Sequence, residues 1–207
     1  MGFNDHMRLR VIDLETTGSL PDTAEIIEFG AVDVVQTPGG WQVETPHTQL
    51  LRPLGPLTPE TQAIHHLTAS DFSANDPIAT PEILRALIWA APQPDMLVAH
   101  HTAFEQHFLG PELTNSLPWL CTLKIAKRLW PDAPRHTNQV LRYWLNLDLA
   151  PNLAMPPHRA GPDAYVTAHI LMRQLGLASL EDMRAWSATK SVRRGAALRA
   201  GRKMAQG

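Results

Sequence analysis

Two carboxylates close an apolar run, Val11-Ile12-Asp13-Leu14-Glu15, and small hydroxyl residues with a glycine follow, Thr16-Thr17-Gly18. In an extended segment residues i and i+2 share a face, so Asp13 and Glu15 would stand side by side. Neighbouring like charges at the end of a buried strand repel and lose hydration, a cost that only a positive partner removes. A divalent cation is the natural partner, because hard carboxylate oxygens suit magnesium or manganese. An acidic pair at a solvated strand end is the competing reading, and on these residues alone both stay open.

Two later stretches carry related chemistry. Leu97-Val98-Ala99-His100-His101-Thr102-Ala103-Phe104-Glu105 passes from an apolar strand into a helix. Glu105 then sits about one turn in, at the strand-end edge where ligands of open α/β sheets collect. A first-turn acid favoured by the helix dipole is the plainer account of it. Pro156-Pro157-His158-Arg159-Ala160-Gly161-Pro162-Asp163 puts a histidine in a stiff loop and a third carboxylate five residues on. The helix that follows has Ala164, Val166, Ala168, Ile170 and Leu171 as its apolar face. A lone loop histidine is usually solvent-exposed or structural. In carboxylate company, His158 is the candidate to take a proton from a metal-activated water, since imidazole exchanges protons near neutral pH.

The elements that must position these residues are legible in outline. Arg8 to Asp13 reads as a first strand, Glu25 to Val35 as a second and Trp41 to Leu51 as a third after the Thr37-Pro38-Gly39-Gly40 turn, an antiparallel meander. Thr58-Pro59-Glu60 and Thr80-Pro81-Glu82 are helix starts with proline at the first helical position. Met96 to Ala99 reads as a buried strand. Helices are predicted over 102–109, 123–130, 138–145 and 162–175, with a last one opening at Ser179-Leu180-Glu181-Asp182. Strands first, then a strand among helices, argues for an α/β mixed sheet with helices on both faces.

The chain's 207 residues suit one domain with a short appendage, placed at 8–177 and at a helical, basic extension over 178–207. With 44% hydrophobic and 18% charged residues it has the composition of a globule with a real core. A single cysteine, Cys121, leaves no disulfide to form within the chain. The stretch from Met1 to Arg10 lacks the apolar core of a signal peptide, and no apolar run reaches membrane-spanning length, so a soluble, cytoplasmic protein without membrane association is expected. Net charge is -2, unevenly spread. Lys190, Arg193, Arg194, Arg199, Arg202 and Lys203 have no acid among them; without those six, the 18 Lys and Arg fall to 12 against 20 acids. An acidic body with a basic tail suits metal loading plus a separate anion or partner contact, with a tail merely kept soluble by its charge as the alternative.

Asp13, Glu15, Glu105, His158 and Asp163, in that order, resemble the motif residues of the DEDDh-type 3′→5′ exonucleases, the group of the proofreading ε subunit, ribonuclease T and exonuclease X. The first motif stands as Asp13-Leu14-Glu15-Thr16-Thr17-Gly18 and the third as His158-Arg159-Ala160-Gly161-Pro162-Asp163-Ala164. Leu51-Arg52-Pro53, Ala63-Ile64-His65-His66-Leu67-Thr68, Trp119-Leu120-Cys121-Thr122-Leu123-Lys124 and Arg128-Leu129-Trp130-Pro131 extend the likeness, most of all to exonuclease X. The resemblance runs from about Arg8 to Leu175 and implies a ribonuclease H-like fold with a five-stranded mixed sheet, in which Pro118 to Cys121 would add the fifth strand to the four read above. It implies two Mg²⁺ or Mn²⁺ ions about 3.5–4 Å apart. Asp13, Glu15, Asp163 and Glu105 would hold them and His158 would act as the base. Thr16, Thr17, His65 and Phe104 match positions lining the terminal nucleotide's pocket, although turn chemistry and core packing account for Thr16, Thr17 and Phe104 nearly as well. The partner implied is a nucleic acid 3′ end, DNA ahead of RNA and single-stranded or frayed, with release of nucleoside 5′-monophosphates.

One departure matters. The family's second motif ordinarily reads His-Asn-x-x-Phe-Asp, and here His101 and Glu105 replace the asparagine and the aspartate. Glutamate keeps the charge and adds one methylene, and a misplacement of about 1 Å can cost on the order of a hundredfold in rate. The expectation is an active enzyme with a weakened or altered second metal site. The alternatives are a weakened subunit that binds an end without cutting it, and one that docks on a partner through the basic tail.

Overall fold

Alternation along the first strand decides which side of the sheet receives the acidic residues. The structure is a computed structural model that describes residues 6–189. In β1 (Arg8–Thr16), Leu9 and Val11 enter one core with Val32, Val34, Met96, Val98 and Leu120. Ile12 and Leu14 enter a second core with Phe29, Ala31 and Leu97. A full Val, Leu or Ile burial stabilises by about 1.5–3 kcal/mol, and a one-residue slip would exchange the two faces, so the register is firmly set. The same period of two carries Asp13 and Glu15 onto the Leu9/Val11 face.

β1 is central. It pairs antiparallel with β2 (Ile26–Thr37) and parallel with β5 (Met96–Ala99), and β5 pairs parallel with β6 (Trp119–Cys121). On the far side of β2 the expected Trp41–Leu51 strand is broken into β3 (Gly40–Val43) and β4 (His47–Leu50), both antiparallel to β2. Asp33 accepts from the Glu44 N–H, whereas Ala31 pairs with His47, so the outer strand has one residue too many between them. Pro46, which has no N–H to donate, falls in this bulge. The mixed sheet therefore has six strands in five positions, in the order β3/β4, β2, β1, β5, β6.

Helices cover both faces. α1 (Pro59–His65) and α2 (Pro81–Ile88) start where their Thr58 and Thr80 caps and first-turn prolines predict. α2 packs Leu84 and Ile88 into the second core, near α3 (Thr102–Phe108) and α4 (Pro111–Thr114). The four-residue α4 was not expected from the sequence. α5 (Thr122–Leu129), α6 (Asn138–Trp144), α7 (Ala160–Leu175) and α8 (Leu180–Ala188) build the first core through Ile125, Leu141, Ala164, Ile170 and Met183. α8 also protects the sheet edge, since Ser187 Oγ accepts from the Cys121 N–H at 2.9 Å.

The N-terminal end of β1 is anchored by charge. Arg10 clasps Asp33 through Nε and Nη2 and donates to the carbonyls of Ile88, Ala90 and Pro92, while Arg8 shares Asp33 with it. Among the described residues, no helix is long and apolar enough to cross a membrane. The basic run from Lys190 to Lys203 lies outside the described residues, as does any contact it makes.

Candidate active site

The carboxylates meet where β1 runs under the N-terminus of α7. Asp13 is the cross-strand partner of Gly30, and Glu15 of Glu28. A Cβ on Gly30 would collide with the backbone of Ala160, so its absence lets the first turn of α7 lie directly on β2. That turn carries Asp163. Asp13, Glu15 and Asp163 each offer an oxygen within 4.8 Å of the others, the one such group of three among the described residues.

Asp163 is held from two sides. Gln139 Nε2 donates to its Oδ1 at 2.6 Å, and the backbone N–H of His158 donates to its Oδ2 at 3.0 Å. Asn138 adds bonds to the Asp163 carbonyl and to Thr167 Oγ1, locking α6 to α7. His158 is exposed and has φ +59, the left-handed region that non-glycine side chains rarely adopt. The structure thus brings Asp13, Glu15, Asp163 and the His158 loop together.

Glu105 is buried on α3, outside the three-carboxylate group, and its Oε2 has no hydrogen-bond partner. Burial pushes its carboxyl up to about 8. Burial first, then the charges of Asp163 and Glu28, push Glu15 up to about 8, and Arg159 partly offsets this. Asp13 is raised well above its ordinary value by burial and by Asp163, Glu15, Glu105 and Glu28. Asp163 is raised by burial, against the pull of its hydrogen bonds from His158 and Gln139. Four acids are therefore desolvated close together, and no ion pair among the described residues reaches any of them. Oxygen donors so short of positive charge fit a divalent cation.

Beside the cluster opens a pocket of about 390 Å³ lined in part by Glu15, Thr16, Ile64, His65 and Phe104. The Leu67 N–H donates to His65 Nδ1 at 2.9 Å, so this neutral ring carries its proton on Nε2, which is buried without a partner. Thr16 spends its hydroxyl on the Gly18 carbonyl. Thr17 does not line the pocket; its Oγ1 accepts from the Glu25 N–H and pins the loop after β1 to the start of β2. His100 is half-buried and bonded to Thr122 and to the His136 carbonyl, and desolvation lowers its pKa to about 4.

Three residues of this site were not singled out from the sequence: Glu28, Arg159 and Gln139. Glu28 is fully buried and takes the Arg159 guanidinium and the Ala160 N–H. Its signal was present as an isolated acid within the apolar run Ile26-Ile27-Glu28-Phe29-Gly30. Gln139 gave none, because an amide on a half-exposed helix looks like surface.

Known proteins share this stretch of chain. Residues 11–171 match the exonuclease family of the RNase T type. Exodeoxyribonuclease 10 of Escherichia coli (strain K12) is 31% identical over 164 residues, spanning 79% of this chain and 67% of that protein. The PolC-type DNA polymerase III of Thermotoga maritima is 30% identical over 187 residues, 84% of this chain but 13% of that polymerase. Exonuclease X, solved in complex with 5′ overhanging duplex DNA, superposes with a TM-score of 0.67 at 30% identity, over 86% of this chain and 99% of that one. The nuclease domain of 3′hExo, a DEDDh family member bound to rAMP, has the same fold with a TM-score of 0.61 at 20% identity, over 84% of this chain and 94% of that one.

Proposed function

The chain belongs to the exonuclease family of the RNase T type, and from that premise we propose that it is a metal-dependent 3′→5′ exonuclease, acting on single-stranded or frayed DNA ends and releasing nucleoside 5′-monophosphates. The observation that carries this reading is the convergence of Asp13, Glu15 and Asp163 within 4.8 Å, with no ion pair to any of the three among the described residues. Asp13, Glu15, Asp163 and, from the α3 side, Glu105 would hold Mg²⁺ or Mn²⁺. Bound there, divalent ions supply Lewis-acid activation of water and offset the charge that develops on the departing oxygen.

The chain's own groups perform the rest. His158, exposed beside Asp163, accepts a proton from the attacking water and passes it to solvent. Water oxygen bonds to the terminal phosphorus while the bond to the preceding 3′ oxygen breaks; that oxygen takes a proton from solvent, which yields a 5′-monophosphate and a new 3′ hydroxyl. Leu14, Ile64 and Phe104 offer apolar surface to the terminal nucleotide, and His65 Nε2 offers it a hydrogen bond. A paired terminus must open before it enters such a pocket, so frayed ends are favoured. Likeness to Exodeoxyribonuclease 10 supports DNA ahead of RNA.

The test is digestion of matched 5′-labelled DNA and RNA single strands with Mg²⁺, Mn²⁺ or EDTA. A ladder shortening from the 3′ end by single nucleotides, faster on DNA and absent in EDTA, is expected. Silence with both ions overturns the assignment. A second reading, a subunit with a weakened metal site, is favoured by one observation: Glu105, where the family pattern has aspartate, stands outside the three-carboxylate group. Slow digestion with retained binding of DNA ends would select it.

A further inference from the structure

We propose that Glu28 and Arg159 are a positioning pair that holds the His158 loop against the carboxylate cluster; this rests on the nuclease reading above. Glu28 lies on β2 with no solvent exposure, opposite Glu15 on the neighbouring strand. Its two oxygens accept Arg159 Nε at 3.1 and 2.9 Å and Nη2 at 2.6 Å, and Oε2 also accepts the Ala160 N–H at 2.9 Å. A guanidinium fork met by a carboxylate fixes direction as well as distance. The clasp therefore fixes both the side chain and the following peptide of the residue directly after His158.

That matters because of the backbone at His158. Its left-handed φ of +59 costs free energy and persists only where the neighbourhood over-determines it. Pro156 and Pro157 stiffen the chain on one side, and Asp163 Oδ2 takes the His158 N–H. Glu28 secures the other side through Arg159 and Ala160. Gly30, two residues beyond Glu28, leaves the space that admits Ala160. The hydrogen bonds on the two sides of His158 thus end on Asp163 and Glu28, both within the candidate site. Arg159 is also near enough to Glu15 to ease the burden of its charge, so the pair joins β1, β2 and the start of α7 at one point.

The experiment compares the full chain with Arg159→Lys, which keeps the charge and loses the fork, and with the neutral pair Glu28→Gln/Arg159→Gln, which strands no buried charge. Four quantities are read: Tm, Mn²⁺ affinity by electron paramagnetic resonance, kcat and KM on a single-stranded 3′ end, and hydrogen exchange at the His158 and Ala160 amides. Expected are a kcat lower by about 10- to 100-fold, in the range of lost supporting contacts at metal sites, with KM and Mn²⁺ affinity within about twofold of the parent. Faster exchange at those two amides but not at Val11 or Val32 is expected with it. Loss of Mn²⁺ affinity in step with kcat overturns the proposal, as does a raised KM at constant kcat, or unchanged exchange. Should the unaltered protein digest nothing with either ion, the nuclease reading falls, and exchange at the two amides still decides whether the pair holds the loop.

Discussion

Asp13 of β1 and Gly30 of β2 are cross-strand partners, and the missing side chain at Gly30 is what lets the start of α7 come down over Asp13. A methyl group there would meet the backbone of Ala160 rather than a side chain that can swing aside. Gly30→Ala is expected to displace the Asp163 turn, lowering Tm by several degrees and activity by at least about a hundredfold, the scale of a 1 Å misplacement. Thermal melts and single-strand digestion check it; a variant as active as the parent would show that α7 has room to spare.

Gln139 is the second support. Replacing it with leucine keeps its bulk on α6 and removes the 2.6 Å bond to Asp163 Oδ1. Mn²⁺ affinity and kcat should both fall by about 10- to 100-fold, with Tm nearly constant. Titration calorimetry with Mn²⁺ is the direct measurement.

Glu105 sets the outcome for the second motif. Glu105→Gln should lower the rate by more than about tenfold, because it removes a buried oxygen donor's charge while leaving the volume intact. Glu105→Asp restores the family residue and should raise the Mg²⁺ rate relative to the Mn²⁺ rate. A ratio that does not move would mean that the extra methylene is absorbed by the site.

The pH dependence has a definite sign. Glu15 and Glu105 titrate near 8 in the fold, above their ordinary value, so the folded chain keeps protons that the unfolded chain gives up from about pH 4.5 onward. Their contribution is fully present at low pH and is lost as pH rises through about 8. His100 works the other way, since its folded value of about 4 lies below its ordinary one, and its contribution is gained as pH rises toward 6.5. His65 and His169, lowered by burial as well, act in the same sense, and the histidine gains level off above about 6.5 while the loss from the acids continues toward 8. Tm in EDTA should therefore fall between pH 6.5 and 8.5, and Mn²⁺ should raise Tm more at 8.5, where fewer protons must be displaced. Equal shifts at the two pH values would contradict the crowded-acid picture.

His65→Phe tests the pocket separately from the metal ligands. Loss of the Nε2–H donor should raise KM for the terminal nucleotide about tenfold, the worth of one hydrogen bond, while Mn²⁺ affinity stays constant. Steady-state kinetics together with Mn²⁺ titration separate the two.

The sequence by itself determined the sheet's alternation, the capped helix starts and the order of the acidic motifs. These are local properties: Leu9, Val11, Asp13 and Glu15 share a face because of the pleat, and Thr58 and Thr80 cap because of what their own side chains reach. It also read one outer strand where Thr45-Pro46 interrupts it, since a bulge is fixed by pairing with β2 rather than by the strand's own residues. Tertiary structure alone decided which distant groups serve the acids. Glu28 and Arg159 are 131 residues apart and Gln139 and Asp163 are 24 apart, and neither bond leaves a periodic trace. It likewise turned Thr17 toward Glu25 instead of the pocket. Hydrogen bonds between remote elements depend on where whole elements pack, and that is settled by the two cores on either side of β1.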